Sequence, residues 1–104
     1  MEETILAAAN PAQRKYYQHP LLNGLPEDLR QELKALCASG AERIGATFLV
    51  LLDAEGQVEL RTVADDALAL DEIGAALVIK ETLRQHGALL KGLALYFAAK
   101  NPIL

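Results

Sequence analysis

The chain has 104 residues, a net charge of −4 and 52% hydrophobic residues, most of them Ala (18) and Leu (20). That length makes one domain with a modest aliphatic core. A chain this acidic is a poor duplex binder, because replacing counterions on DNA takes clustered Lys and Arg.

The start, Met1-Glu2-Glu3, is acidic and its apolar stretch (Ile5 to Ala9) is short, unlike a signal peptide, which needs a basic start and a longer apolar region. No apolar run approaches the ~20 residues of a membrane span. Cys37 is the sole cysteine, so no disulfide can form within the chain and a reduced, cytoplasmic setting is expected. Asn10-Pro11 has the form of a helix start, Asn as cap and Pro at the first position. It predicts a helix over about 11–18, ending before His19-Pro20 because the residue ahead of a proline avoids the α region.

A second helix is predicted over 26–43. Pro26 opens it, Glu27 and Asp28 complement its dipole, and Leu29, Leu33, Leu36, Cys37 and Ile44 form one stripe. "TFLVLL" within 46–52 and "QVELRTV" over 57–63 read as two strands, joined by "DAEG" with Gly56 where a positive φ is needed. The second strand alternates apolar and polar. The first has Phe48, Val50 and Leu52 on one side and Leu49 and Leu51 on the other, so both its faces need cover.

From 71 to about 100 the pattern is helical, about 45 Å of rod at 1.5 Å per residue. Ile79, Leu83, Leu90 and Phe97 belong to its main apolar face, and Ile73, Leu77 and Leu95 form a further stripe. Gly87 and Gly92 are points where it could kink, since each costs about 1 kcal/mol relative to Ala. The predicted fold is therefore α+β and mostly helical, with two N-terminal helices, a two-stranded antiparallel hairpin and one long C-terminal helix, in a single domain of residues 1–104.

A lone hairpin is marginal in water and leaves its edges unpaired. Together with a helix apolar on several sides, it implies a homodimer. The residues expected at the assembly face are Phe48, Val50, Ile79, Leu83, His86, Leu90 and Phe97. A histidine buried there would make assembly pH-sensitive.

"AANPAQRKYYQHP", "LPEDLRQELKALC" and "DEIGAALVIKETL" together resemble a family of short clostridial and Firmicutes proteins classed as a domain of unknown function. The likeness covers nearly the whole chain, with Tyr16-Tyr17, Pro20, Leu25-Pro26, Leu36-Cys37 and Asp71-Glu72-Ile73-Gly74 as its markers. It implies no activity and assigns no residue a role.

Chemistry-bearing motifs are few. Ser39 is the only serine, in "CASGA", which lacks the first glycine of a nucleophile elbow. "SGAERIG" lacks the Lys-Ser/Thr of a phosphate loop, and there is no GxGxxG, CxxC or HExxH. Cys37 sits in a helical pattern as a buried thiol would. Asp65, Asp66, Asp71 and Glu72 could supply oxygen ligands, but their spacing is not that of a calcium loop. An acidic first turn with a solvated loop accounts for them, so neither metal nor cofactor is expected. Arg14, Tyr16, Tyr17 and His19 form a candidate binding patch, since Tyr and Arg are hot-spot residues; the competing view packs one tyrosine half-buried in the core. The function these features predict is a homodimeric interaction or accessory module without catalysis. The alternative is a ligand-binding regulator with a pocket between the hairpin and the long helix.

Overall fold

The computed structural model describes residues 3–64 and 71–100. In chain order it holds β1 (Thr4–Asn10), β2 (Lys15–Gln18), a 3₁₀ turn (Pro20–Gly24), α1 (Glu27–Ile44), β3 (Thr47–Leu52), β4 (Val58–Val63), α2 (Glu72–Gln85) and α3 (Gly87–Lys100). The four strands form one antiparallel sheet in the order β2-β1-β3-β4.

Three features depart from the sequence-based expectation. No helix forms over 11–18: residues 4–18 make a strand, a turn and a second strand. Asn10 caps a local N–H as expected, its Oδ1 accepting from Gln13 N at 2.9 Å. The chain then reverses instead of coiling, with Arg14 in the left-handed region at φ 52°. Side-chain acceptors of this kind serve tight turns as readily as helix starts, and the pairing of β1 with both β2 and β3 decides between them. The predicted two-stranded hairpin is thus half of a four-stranded sheet, and the apolar β3 lies inside it rather than at an edge.

The third departure is in the long helix, which is two helices. α2 ends at Gln85, His86 takes φ −119° and ψ 21°, and α3 starts at Gly87. The break falls at the first of the two glycines, while Gly92 stays inside α3. Separating the rod lets Leu89, Leu90, Leu93 and Phe97 of α3 join the core independently of Ala75 and Val78 on α2.

α1 matches its expected span within a residue. Its C-terminus is closed by Gly45 in the left-handed conformation (φ 74°), whose N–H bonds to Ala41 O, a common helix stop. The β3–β4 hairpin also forms as expected. Asp53 N donates to Gln57 O at 2.8 Å and Gly56 N to Asp53 O at 3.1 Å, with Gly56 at φ 84°.

The strand register divides the sheet into two faces. Ala7 and Ala9 stand opposite Val50 and Phe48, and Leu60 stands opposite Val50. This inner face joins one hydrophobic core with Leu33, Leu36, Cys37 and Ala41 of α1 and with Val78, Leu90, Leu93 and Phe97 of the last two helices. α1 lies over β1 and β3, and α2 and α3 touch β4. The small side chains of β1 suit this layer, because Ala7 and Ala9 let α1 approach its backbone. Gly40 plays the same part from the helix side: a Cβ there would lie 2.6 Å from the Phe48 ring.

Candidate functional site

Strand alternation separates the candidate binding residues. Tyr16 stands opposite Ala9 on the inner face and Tyr17 opposite Ala8 on the outer one. Tyr16 is half-buried against the core, its hydroxyl donates to Gln18 Oε1 at 3.3 Å, and the Lys34 ammonium lies 5.8 Å above its ring. Burial, and then the nearby Cys37 thiol, hold the Tyr16 phenol above its ordinary range. His19 is a structural residue: its Nδ1 accepts from Leu21 N at 3.1 Å, capping the 3₁₀ turn, and its ring meets Phe97 edge-on at 5.4 Å.

Arg14 and Tyr16 do come together, at a cavity of about 290 Å³ between the first hairpin and α1. Lys15, Lys34 and Glu42 also line it, with Ala9, Ala38 and Ala41 supplying apolar wall. Among the described residues no carboxylate pairs with Arg14, Lys15 or Lys34. Three cations over one cavity stand out in a chain of net charge −4. The contribution of Lys34 was not legible in the sequence, because only the fold carries α1 across the first hairpin.

The residues expected at an assembly face are mostly interior. Phe48 and Val50 are fully buried under α1, Leu90 and Phe97 are buried, and Ile79 packs against the same cluster. Leu83 remains 46% exposed. His86 Nδ1 meets Glu32 Oε2 at 2.9 Å, bridging α2 to α1. Exposed apolar side chains lie elsewhere. On the helices they are Ile73, Leu77 and Leu95, at 77%, 62% and 68% exposure, the further stripe seen in the sequence. On the outer sheet face Ile5, Tyr17 and Val63 are about half exposed. Leu51, with Ile5 and Glu59 as cross-strand neighbours, is the buried centre of that face. Arg61 binds Glu3 and Glu59 beside it, at 3.0 and 3.2 Å.

Burial pushes the Cys37 thiol up to about 12, far from a working nucleophile. Ser39 and His86 line one cleft between α1 and α2, and the His86 ring is held there by Glu32. Asp71 caps α2, accepting from Gly74 N at 3.0 Å. Asp65 and Asp66 lie outside the described residues, and no three acidic, His or Cys groups elsewhere gather to hold a metal ion. No described helix is long and apolar enough to cross a membrane.

The comparisons with known proteins supply no activity: no curated protein and no solved structure matches the chain. One family model matches residues 3–101, nearly the entire length, and by that match the chain belongs to DUF6145, a family of unknown function.

Proposed function

We propose that the protein is a homodimeric interaction module of the cytoplasm and that its work is binding rather than catalysis. The observation that carries this is the sheet: among the described residues the helices pack on one face, and the other presents Ile5, Tyr17 and Val63 about half exposed. Ile5 and Tyr17 line one shallow hollow on that face, and exposed apolar surface of this kind marks interaction sites. The long edge strand β4 and the exposed Leu83 support self-association. With Phe48, Val50, Leu90 and Phe97 in the core, this reading takes the sheet edge and the helix exteriors as the assembly surface. Light scattering after size exclusion, at two concentrations, tests the proposal. A mass of twice 11.2 kDa is expected, and a monomer at both concentrations would overturn it.

A second possibility, a small-ligand regulator, is favoured by the cavity that gathers Arg14, Lys15, Tyr16 and Lys34. Its location differs from the one predicted, between the first hairpin and α1 instead of beside the last helices. The cations select an anionic ligand. A thermal-shift series with inorganic phosphate and small carboxylates should raise the melting temperature, and Arg14→Ala should abolish the rise. No shift with any anion would remove this possibility.

A further inference from the structure

We infer that two copies of this chain join edge to edge through β4, with Leu60 opposite the partner's Leu60 and Glu59 opposite the partner's Arg61. The inference rests on the homodimer proposed above and supplies its surface and register.

β4 is the outer strand on one side of the sheet, and no described residue pairs with its free edge. Which of its backbone groups are free follows from the hairpin. Asp53 N donates to Gln57 O, so Asp53 and Gln57 face one another as a hydrogen-bonded pair. Such pairs alternate along an antiparallel ladder. With Leu51 opposite Glu59 and Leu49 opposite Arg61, Glu59, Arg61 and Val63 aim their N–H and C=O at β3. Val58, Leu60 and Thr62 aim theirs outward. A six-residue edge with no Pro or Lys is poorly protected against pairing. The opposite edge, β2, has four residues and begins at Lys15.

Symmetry and charge then select the register. A twofold axis relating antiparallel edge strands stands normal to the sheet, so the helices of both copies lie on the same side. Inner-face residues must therefore oppose inner-face residues. Three centred registers meet that condition. Centring on Glu59 sets Glu59 against the partner's Glu59, and centring on Arg61 sets Arg61 against the partner's Arg61. Both place like charges in close cross-strand contact, which is destabilising. Centring on Leu60 sets each Glu59 against the partner's Arg61, twice, with Val58 opposite the partner's Thr62. In this register the free N–H and C=O groups of Val58, Leu60 and Thr62 pair, and each Arg61 joins the carboxylates of its own Glu3 and Glu59 to that of the partner's Glu59.

α2 provides a second contact. Its Glu81 pairs with Arg43 of α1 at 2.8 Å, which marks the flank that faces α1. Leu83 lies about 200° round the helix from Glu81. α1 covers β1 and β3 while α2 and α3 reach β4, so the half-exposed Leu83 flank is turned away from α1, and the dimer inferred here sets it on the partner's side.

The test is a charge swap read by light scattering and analytical ultracentrifugation on the full chain, with circular dichroism confirming that each variant is folded. Glu59→Arg and Arg61→Glu should each weaken the dimer about tenfold or more, because two attractive pairs become two repulsive ones. Mixed together, the two variants should form a heterodimer, since each of the two cross-strand contacts would again set one base against one acid. Recovery in the mixture separates an interface role from the ion pairs each residue makes within its own chain. A wild-type dimer indifferent to both swaps, or no recovery on mixing, would overturn the register and leave the homodimer standing. A wild-type monomer at every concentration would overturn both.

Discussion

Gly40 supports the sharpest stability prediction. It lies inside α1, where Ala in place of Gly would ordinarily stabilise a helix by about 1 kcal/mol. Here the added methyl meets the Phe48 ring, with its Cβ 2.6 Å from Cδ2 and 2.7 Å from Cε2. Phe48 is fully buried on an interior strand and cannot swing away. Overpacking a close-packed core costs about 1–3 kcal/mol, and contacts this short belong in the upper half of that span. After subtracting the helix gain, Gly40→Ala should lose about 1–2 kcal/mol, a fall of about 4–16 °C in Tm for a domain of this size. Gly92→Ala is the internal control. It too is helical, but nothing lies within 4 Å of its added Cβ, so it should gain up to about 1 kcal/mol. Differential scanning calorimetry on both variants decides. A Tm for Gly40→Ala equal to or above wild type would refute the claim that α1 and β3 touch through this glycine.

The other predictions need simpler assays. Asp71→Ala should destabilise by about 1 kcal/mol through loss of the α2 cap, with Asp71→Asn nearly neutral; equal effects in urea titration would show that charge, and not capping, matters. Cys37 should resist a thiol reagent at pH 8 until the protein is denatured, because burial pushes the thiol up to about 12; rapid labelling of the native state would contradict that burial. Leu83→Asp, at a half-exposed position, should lower the dimer mass while changing monomer stability by no more than about 0.5 kcal/mol. The Arg43 guanidinium holds the Glu81 carboxyl below its usual 4.5. A lowered folded-state value means its contribution is present above pH 4.5 and is lost as pH falls through that lower value. An NMR titration of Glu81 should give a midpoint under 4.5, returning toward it in Arg43→Gln.

The candidate cavity shows where sequence reasoning stops. Arg14 and Tyr16 were identifiable from the "RKYYQH" cluster, because hot-spot residue types sit close together there. Their separation from Tyr17 and His19 depends on the segment being a strand: period-two alternation sends Tyr17 to the outer face, and a helix would have spread the same residues differently. Lys34 enters the cavity from a segment distant in sequence, and no local pattern announces that.

What the sequence determines by itself is local and periodic. The stripe from Leu29 to Ile44 specifies α1, Gly45 stops it, and the alternation around Asp53–Gly56 specifies the β3–β4 hairpin. Each of these rests on contacts between near neighbours or on the φ that a glycine permits. The tertiary structure decided what Asn10-Pro11 starts, where the last rod breaks and which apolar residues stay outside. Asn10 satisfies a backbone N–H equally well in a helix or a turn, so the choice passed to the pairing of β1 between β2 and β3. Once β1 occupied that place, β3 was covered on both edges and Phe48 and Val50 sank beneath α1. The break at His86 let α3 bury Leu90 and Phe97 while Ile73, Leu77 and Leu95 stayed in water. Burial of a residue depends on everything packed around it, and no single stretch of chain encodes that.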